Sequence, residues 1–205
     1  MIQPLTARKS GDRPRVKPAE ERREDLMNAA ERLFLEQGVA PTTIEQITSG
    51  AGVAKGSFYL QFASKDDVLT ALRERFIRDF VSRTERAIGS RPVDDWKERL
   101  AIWAKETVEG YLDTLPIHDI VFHEVPPHSW YDAHTELVIA HLSAILEGGE
   151  RAGAWAIGDA RFTAVFLFSG LHEIVDSLRA SGRPIDRARL AEQIRAICFK
   201  TIGVA

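Results

Sequence analysis

Residues 42–65 read TTIEQITSGAGVAKGSFYLQFASK, and the fold turns on how this stretch is parsed. Thr43 with Gln46 three residues later makes a capping box, with Thr42 and Glu45 as an overlapping alternative. Ile44, Ile47 and Ala51 then share one stripe of a short helix, which Gly52 stops. After a brief break, Lys55 to Leu60 has room for barely two helical turns. Ser64-Lys65-Asp66-Asp67 is a second capping box and opens a longer helix. Two short helices joined by a Gly-containing turn, Ala51-Gly52-Val53-Ala54, form the pattern of a helix-turn-helix spanning about 43–62. Its second helix presents Lys55, Gly56, Ser57, Tyr59 and Gln61, while Phe58 and Phe62 point inward to hold it. No acidic residue occurs from Thr48 through Ser64. A surface free of carboxylates suits an approach to phosphate, and Gly56 puts no side chain between backbone and duplex.

Helical periodicity extends in both directions. Leu26, Ala29, Ala30, Leu33 and Phe34 make one apolar face of a helix over roughly 19–37, between Pro18 and Gly38. The helix opened at Ser64 buries Val68, Leu69, Leu72, Phe76 and Phe80 and runs to about Ile88, before a loop at Gly89-Ser90-Arg91-Pro92. Trp96, Leu100, Trp103, Thr107 and Tyr111 make the next stripe. A short segment from Ile117 to Glu124 lies between Pro116 and Pro126-Pro127. Ser129 caps a helix from Trp130 to about Leu146, stopped by Gly148-Gly149. Asp159 to Ala180 is another helix, and Asp186 caps the last, with Leu190, Ile194, Ile197, Cys198 and Ile202 on one face. The expectation is an all-α fold of about nine helices. It divides into a basic arm at 1–17, a DNA-binding domain at 18–63 and a larger domain at 64–205.

Composition agrees with a soluble, cytoplasmic protein. The chain has 205 residues, 44% hydrophobic and 28% charged, close to an average globular domain. Its longest apolar stretch, Phe162 to Leu171, is far short of the ~20 residues that span a bilayer. The first fifteen residues hold no apolar core of a secretory signal. The single cysteine, Cys198, excludes an internal disulfide and a CxxC site. Net charge is −3. Arg8, Lys9, Arg13, Arg15 and Lys17 against Asp12 give the arm +4, which leaves −7 on the body. Such an arm reaches for a polyanion or is a solvated tail.

Residues 26–69 resemble the N-terminal domain of the TetR family of bacterial transcriptional regulators. The likeness runs through Ala29-Ala30-Glu31-Arg32-Leu33-Phe34, Gly38, Thr42-Thr43-Ile44, Ile47, Ala51 to Phe62, Ser64-Lys65 and Leu69. The resemblance implies that Thr43, Tyr59 and Lys65 bind phosphates. It also implies that Lys55 meets backbone or a base edge, and that Gly56 and Ser57 lie closest to the bases. Two positions depart from the family pattern: Ala54 replaces a frequent hydroxyl cap, and Leu60 replaces larger polar or aromatic groups. The resemblance further implies a homodimer, a double-stranded and palindromic DNA operator, and a small, largely apolar effector that releases a repressor.

The second half of the chain supplies candidates for these roles. Trp103, Tyr111, Phe122, His123, Trp130, His134 and Phe166 combine apolar walls with a few polar groups, as ligand pockets do. The helix carrying Phe162, Val165, Phe168 and Leu171 is apolar nearly all round and so needs cover on two sides. With Leu190, Ile194 and Ile197 of the last helix it makes a candidate dimer interface. No HxxxH or HxxE pair marks a metal site, and no cofactor motif is present. A nucleophile elbow, P-loop, GxGxxG and HExxH are all missing, so an enzyme is not expected. The competing class is a helical ligand-binding or scaffold protein without specific DNA binding.

Overall fold

The first helix forms where its apolar face finds a partner. In the computed structural model, which describes residues 17–90, 92, 94–123 and 133–204, α1 (Ala19–Gln37) buries Leu26, Met27, Ala29, Ala30 and Phe34. Pro18 precedes it, and Gly38 ends it at φ 85°, a left-handed conformation that glycine adopts without strain. α2 (Ile44–Gly50) and α3 (Lys55–Tyr59) follow, then the long α4 (Lys65–Gly89). α5 (Trp96–Asp113) packs between α4, α7 (Ala133–Arg151) and α9 (Arg187–Thr201), with α6 (Leu115–His123) and α8 (Ala160–Ala180) completing the order. Among the described residues there are nine helices and no strand, so the fold is all-α.

Capping explains most starts. The side chains of Thr43, Ser64, Asp95, Asp159 and Asp186 each accept a hydrogen bond from the backbone N–H three residues on. The cap expected at Ser129 and the arm expected at 1–17 fall outside the described residues, save Lys17, which pairs with Asp25 at 2.5 Å.

Two boundaries differ from expectation. Pro116 does not precede α6; it is the second residue of that helix, where a missing N–H costs nothing. Gly148 and Gly149 do not stop α7, which runs on to Arg151. Their role is close packing. A Cβ at Gly148 would lie 2.1 Å from the Trp96 ring, and one at Gly149 would lie 1.9 Å from the Trp155 ring. Both indoles therefore lie directly on the helix backbone, and Trp155 donates its Nε1–H to Leu146 O at 2.8 Å.

The helices enclose two cores. The smaller joins α1, α2 and α3 to the first half of α4 through Val68, Leu69, Ala71 and Leu72, with Ile120 and Val121 of α6. The larger is built on Trp103, Leu100, Leu142, Leu146, Ala164 and Val175, with Ile77 and Ile88 from the second half of α4. One rigid helix thus contributes to both cores. Cys198 lies in the larger one, where burial pushes its thiol up to about 12, so it stays protonated and inert.

Candidate nucleic-acid interface and ligand cavity

The helix-turn-helix is fixed from inside. Thr43 Oγ1 accepts from Gln46 N at 3.2 Å, and Gln46 Oε1 accepts from Thr43 N at 2.8 Å. In the turn, Gly52 takes φ 66°, and Val53 N donates to Thr48 O at 3.0 Å. Ile47 and Phe58 are fully buried and Phe62 nearly so. The Arg23 guanidinium lies over the Phe62 ring at 4.8 Å, a favourable cation–ring contact. With that face anchored, the opposite face of α3 must point outward. Lys55, Gly56 and Tyr59 are exposed, while Ser57 and Gln61 are half-buried. A Cβ at Gly56 would meet nothing within 4 Å. Leu60 is 77% exposed, an apolar tip on an otherwise polar surface.

Two lysines on this surface behave differently. Lys55 is exposed and forms an ion pair with Glu45 of α2. The bond holds the Glu45 carboxyl below its ordinary range and the Lys55 ammonium above its own. Lys65 is not presented to phosphate. Its Nζ donates to the carbonyls of Val39 and Thr42, both at 2.7 Å, and to Ala40 at 3.2 Å. All three ammonium donors are occupied, so Lys65 staples the loop between α1 and α2 to the start of α4. A hint was present in the sequence: a cation in the first turn of a helix opposes the macrodipole and needs a reason to be there.

Behind the helix-turn-helix lies a cavity of about 580 Å³ between α4, α5, α6, α7 and α8, reaching Asn28 and Glu31 of α1. Tyr111 and Phe122 line it, together with Phe76, Phe80, His118 and His172. The rings touch one another: Tyr111 to His118 at 4.0 Å, His118 stacked on Phe122 at 4.5 Å, and Tyr111 edge-on to His172 at 4.9 Å between centroids. Tyr111 donates its hydroxyl to Asp176 Oδ1 at 2.7 Å. Burial and that bond push the phenol up from its ordinary value, so it remains a donor. Arg179 grips Asp119 with both terminal nitrogens and approaches Asp176 at 3.6 Å. These contacts tie α5, α6 and α8 together at the cavity's edge.

Other candidates lie elsewhere. Trp103 is fully buried in the larger core, off the cavity wall. Phe166 points out of the molecule and is 58% exposed. Trp130, and the side chains of His123 and His134, lie outside the described residues. Among the interface candidates, Phe162 and Ile197 are exposed and Val165 is half-buried. Leu171, Leu190 and Ile194 are buried in the protomer's own core, and Phe168 is half-buried and lines the cavity. Phe76 and Phe80, read from periodicity as buried core, are half-buried cavity walls. His118 was not singled out at all, since a lone histidine on a short helix carries no pattern.

The start of α4 is also joined to α1. Arg75 Nη1 donates to Glu24 at 3.0 Å and Asn28 at 2.8 Å, and Nη2 pairs with Glu31. Arg75, Asn28 and Glu31 all line the cavity.

Comparison with known proteins agrees with this geometry. Residues 26–72 match the family model described as bacterial regulatory proteins, tetR family. The HTH-type transcriptional repressor KstR2 of Mycobacterium tuberculosis is 37% identical over 69 residues, 34% of each chain. The chain spans between about a fifth and two fifths of the length of the curated relatives it matches first. Two solved structures share the fold across nearly the whole chain. The fatty acid degradation regulator FadR from Bacillus halodurans has a TM-score of 0.71 at 19% identity, covering 97% of this chain and 100% of its own. FadR from Bacillus subtilis in complex with stearoyl-CoA has a TM-score of 0.72 at 22% identity, covering 87% of this chain and 98% of its own.

Proposed function

We propose that this chain, whose residues 26–72 match the family model of the tetR bacterial regulatory proteins, is a ligand-responsive transcriptional repressor of that family. Residues 18–63 act as the DNA-reading head, and residues 64–205 bind the effector and a second copy. One observation carries the reading: α3 stands with Lys55, Gly56 and Tyr59 outward while Phe58 and Phe62 lock its other face. In DNA, that outward face enters the major groove, Thr43 and Tyr59 hold phosphates, and Ser57 and Gln61 flank the base edges. Lys55 reaches DNA by exchanging Glu45 for a phosphate or a base edge.

One such helix reads too few base pairs for useful specificity. A homodimer supplies two, about 34–36 Å apart, and its two-fold axis calls for a palindromic operator. The exposed rings of Phe162 and Phe166 on α8, with Ile197 on α9, are the apolar surface offered for that pairing. The effector is small and largely apolar, as the ring-lined cavity favours. The complex of the Bacillus subtilis FadR fold with stearoyl-CoA supports a cavity of this architecture receiving an apolar body. Effector contacts shift α4, which belongs to both cores, and the reading heads then no longer match adjacent grooves. Linkage requires that DNA weaken the effector by the same factor.

The test is selection from random duplex DNA followed by a salt titration of the selected site. A dimer touching about eight phosphates gives a log–log slope near −7. If no sequence is enriched over random duplex, the protein is a ligand-binding or scaffold protein instead.

A further inference from the structure

Resting on the proposal that this cavity receives the effector, we infer that the effector carries a carboxylate, held by Arg83 in a seat made by Gly110. Two features of the cavity wall converge on this. The first is the seat itself. The Arg83 guanidinium meets α5 with its Nη2 end foremost, so that a Cβ at position 110 would fall 1.7 Å from Nη2 and 2.8 Å from Cζ. Only glycine leaves room for the group there. The second is how little that guanidinium is engaged. Among the described residues its polar contacts are to Glu106: Nε to the carboxylate at 3.4 Å and Nη2 to the backbone carbonyl at 3.4 Å, with the side chain 38% exposed. Charge-assisted bonds of this kind normally close to about 2.7–2.9 Å. Arg83 Nε is buried and has no hydrogen-bond partner among the described residues.

The ionisable groups along this wall include Arg75, Asp79, Arg83 and Arg86 of α4, with Glu31 of α1. Arg75 is neutralised by Glu24 and Glu31. With Asp79 on the same wall and Glu106 beside Arg83, no surplus of cations remains, and what marks Arg83 is the length of its contacts. A guanidinium offers a planar fork that matches a carboxylate through two parallel bonds. Phe80, Tyr111 and Phe168 line the same space, so the rest of the ligand is apolar. An amphipathic acid satisfies both ends, whereas a neutral ligand would leave the Arg83 fork poorly bonded.

Isothermal titration calorimetry of the full chain with matched pairs, decanoate against decanol and naphthoate against naphthol, tests the assignment. The acid should bind about tenfold or more tightly than its alcohol, as a hydrogen-bonded charge pair implies. Arg83→Met removes the fork and should abolish that preference. Gly110→Ala should abolish it too, because the new methyl displaces the flexible end of Arg83 and leaves the backbone in place. Arg83→Lys, a point charge without the fork, should restore part of it. If acids and alcohols bind the wild type equally, or if the preference survives both Arg83→Met and Gly110→Ala, the carboxylate assignment falls and the cavity reading stands. If no member of either pair binds, both fall.

Discussion

Replacing Lys65 with methionine distinguishes a structural staple from a DNA contact, because the two roles move different observables. Methionine keeps most of the apolar stem and deletes the ammonium. That ammonium satisfies the carbonyls of Val39 and Thr42 at 2.7 Å each and of Ala40 at 3.2 Å. A hydrogen bond with a charged partner is worth about 1.5–3 kcal/mol. The bonds to Val39 and Thr42 are partly buried, and the longer one to Ala40 is exposed, where water replaces it. The gross loss is then about 3–6 kcal/mol. Removing a cation from the first turn of α4 returns about 0.3–1 kcal/mol. The net expectation is a destabilisation of about 2–6 kcal/mol, read as a lower urea midpoint at unchanged m-value by circular dichroism. The salt slope of operator binding should stay as in the wild type. A phosphate ligand would behave in the opposite way: stability would hold, and the slope would become shallower by about 1.8 for the two sites of a dimer. A wild-type urea midpoint with that shallower slope would refute the staple.

Three further perturbations follow from the packing. Gly149→Ala should lower stability by about 1–3 kcal/mol through overpacking against Trp155, outweighing the roughly 1 kcal/mol that alanine gains in a helix; an increase in the thermal midpoint would contradict the close approach. Phe166→Asp should turn the proposed dimer into a 22.9 kDa monomer in sedimentation while leaving the helical circular dichroism intact, since the ring lies outside both cores. His141 is partly buried on α7, and desolvation holds its imidazole below the ordinary 6.5 despite the opposing pull of Glu85. The unfolded chain therefore takes up the proton first, and stability should fall as pH drops below about 6.5. His141→Gln should flatten that part of the profile, and an identical pH dependence in the variant would remove His141 from the account.

Much of the fold was legible because capping and periodicity are local. Thr43, Ser64 and Asp186 are readable as caps, since each stands just before an apolar helical stripe and its bond closes within three residues; Asp159, expected as the first residue of its helix, caps it instead. The bounds of α1 follow from Pro18, Gly38 and the stripe between them in the same way. Gly148-Gly149 misled because glycine has two uses, ending a helix or admitting a neighbour against its backbone. Only the arrival of Trp96 and Trp155, from 52 and 6 residues away in the chain, decides between them. Pro116 carries a similar ambiguity: it marks a helix start, but the sequence does not say on which side of it the helix begins.

The sites divide along the same physical line. The surface of α3 was readable because a two-turn helix with Phe58 and Phe62 on one side has only one other side to show. The cavity was not, because periodicity says which face of a helix is covered and is silent about how closely. Phe76 and Phe80 sit on the covered face of α4, as their spacing requires. What turns them from core into wall is that α5, α6 and α8 stand back at that level, a property of three other helices. Trp103 and Phe166 illustrate the converse. Aromatic character marked both for a pocket, yet one is enclosed on every side and the other lies in the open. The charge pattern of α4, which aromatic character leaves aside, is a better guide to that space. Arg75, Asp79, Arg83 and Arg86 make a polar stripe along α4 at helical spacing, beside its apolar one. A stripe of that kind on a helix that spans two cores must find solvent, counter-ions or a ligand. At Arg75 it finds Glu24 and Glu31 of α1, and at Arg83 it finds the cavity. The cavity and the helix-turn-helix core are therefore joined along α4 by charge, within eight residues of one helix.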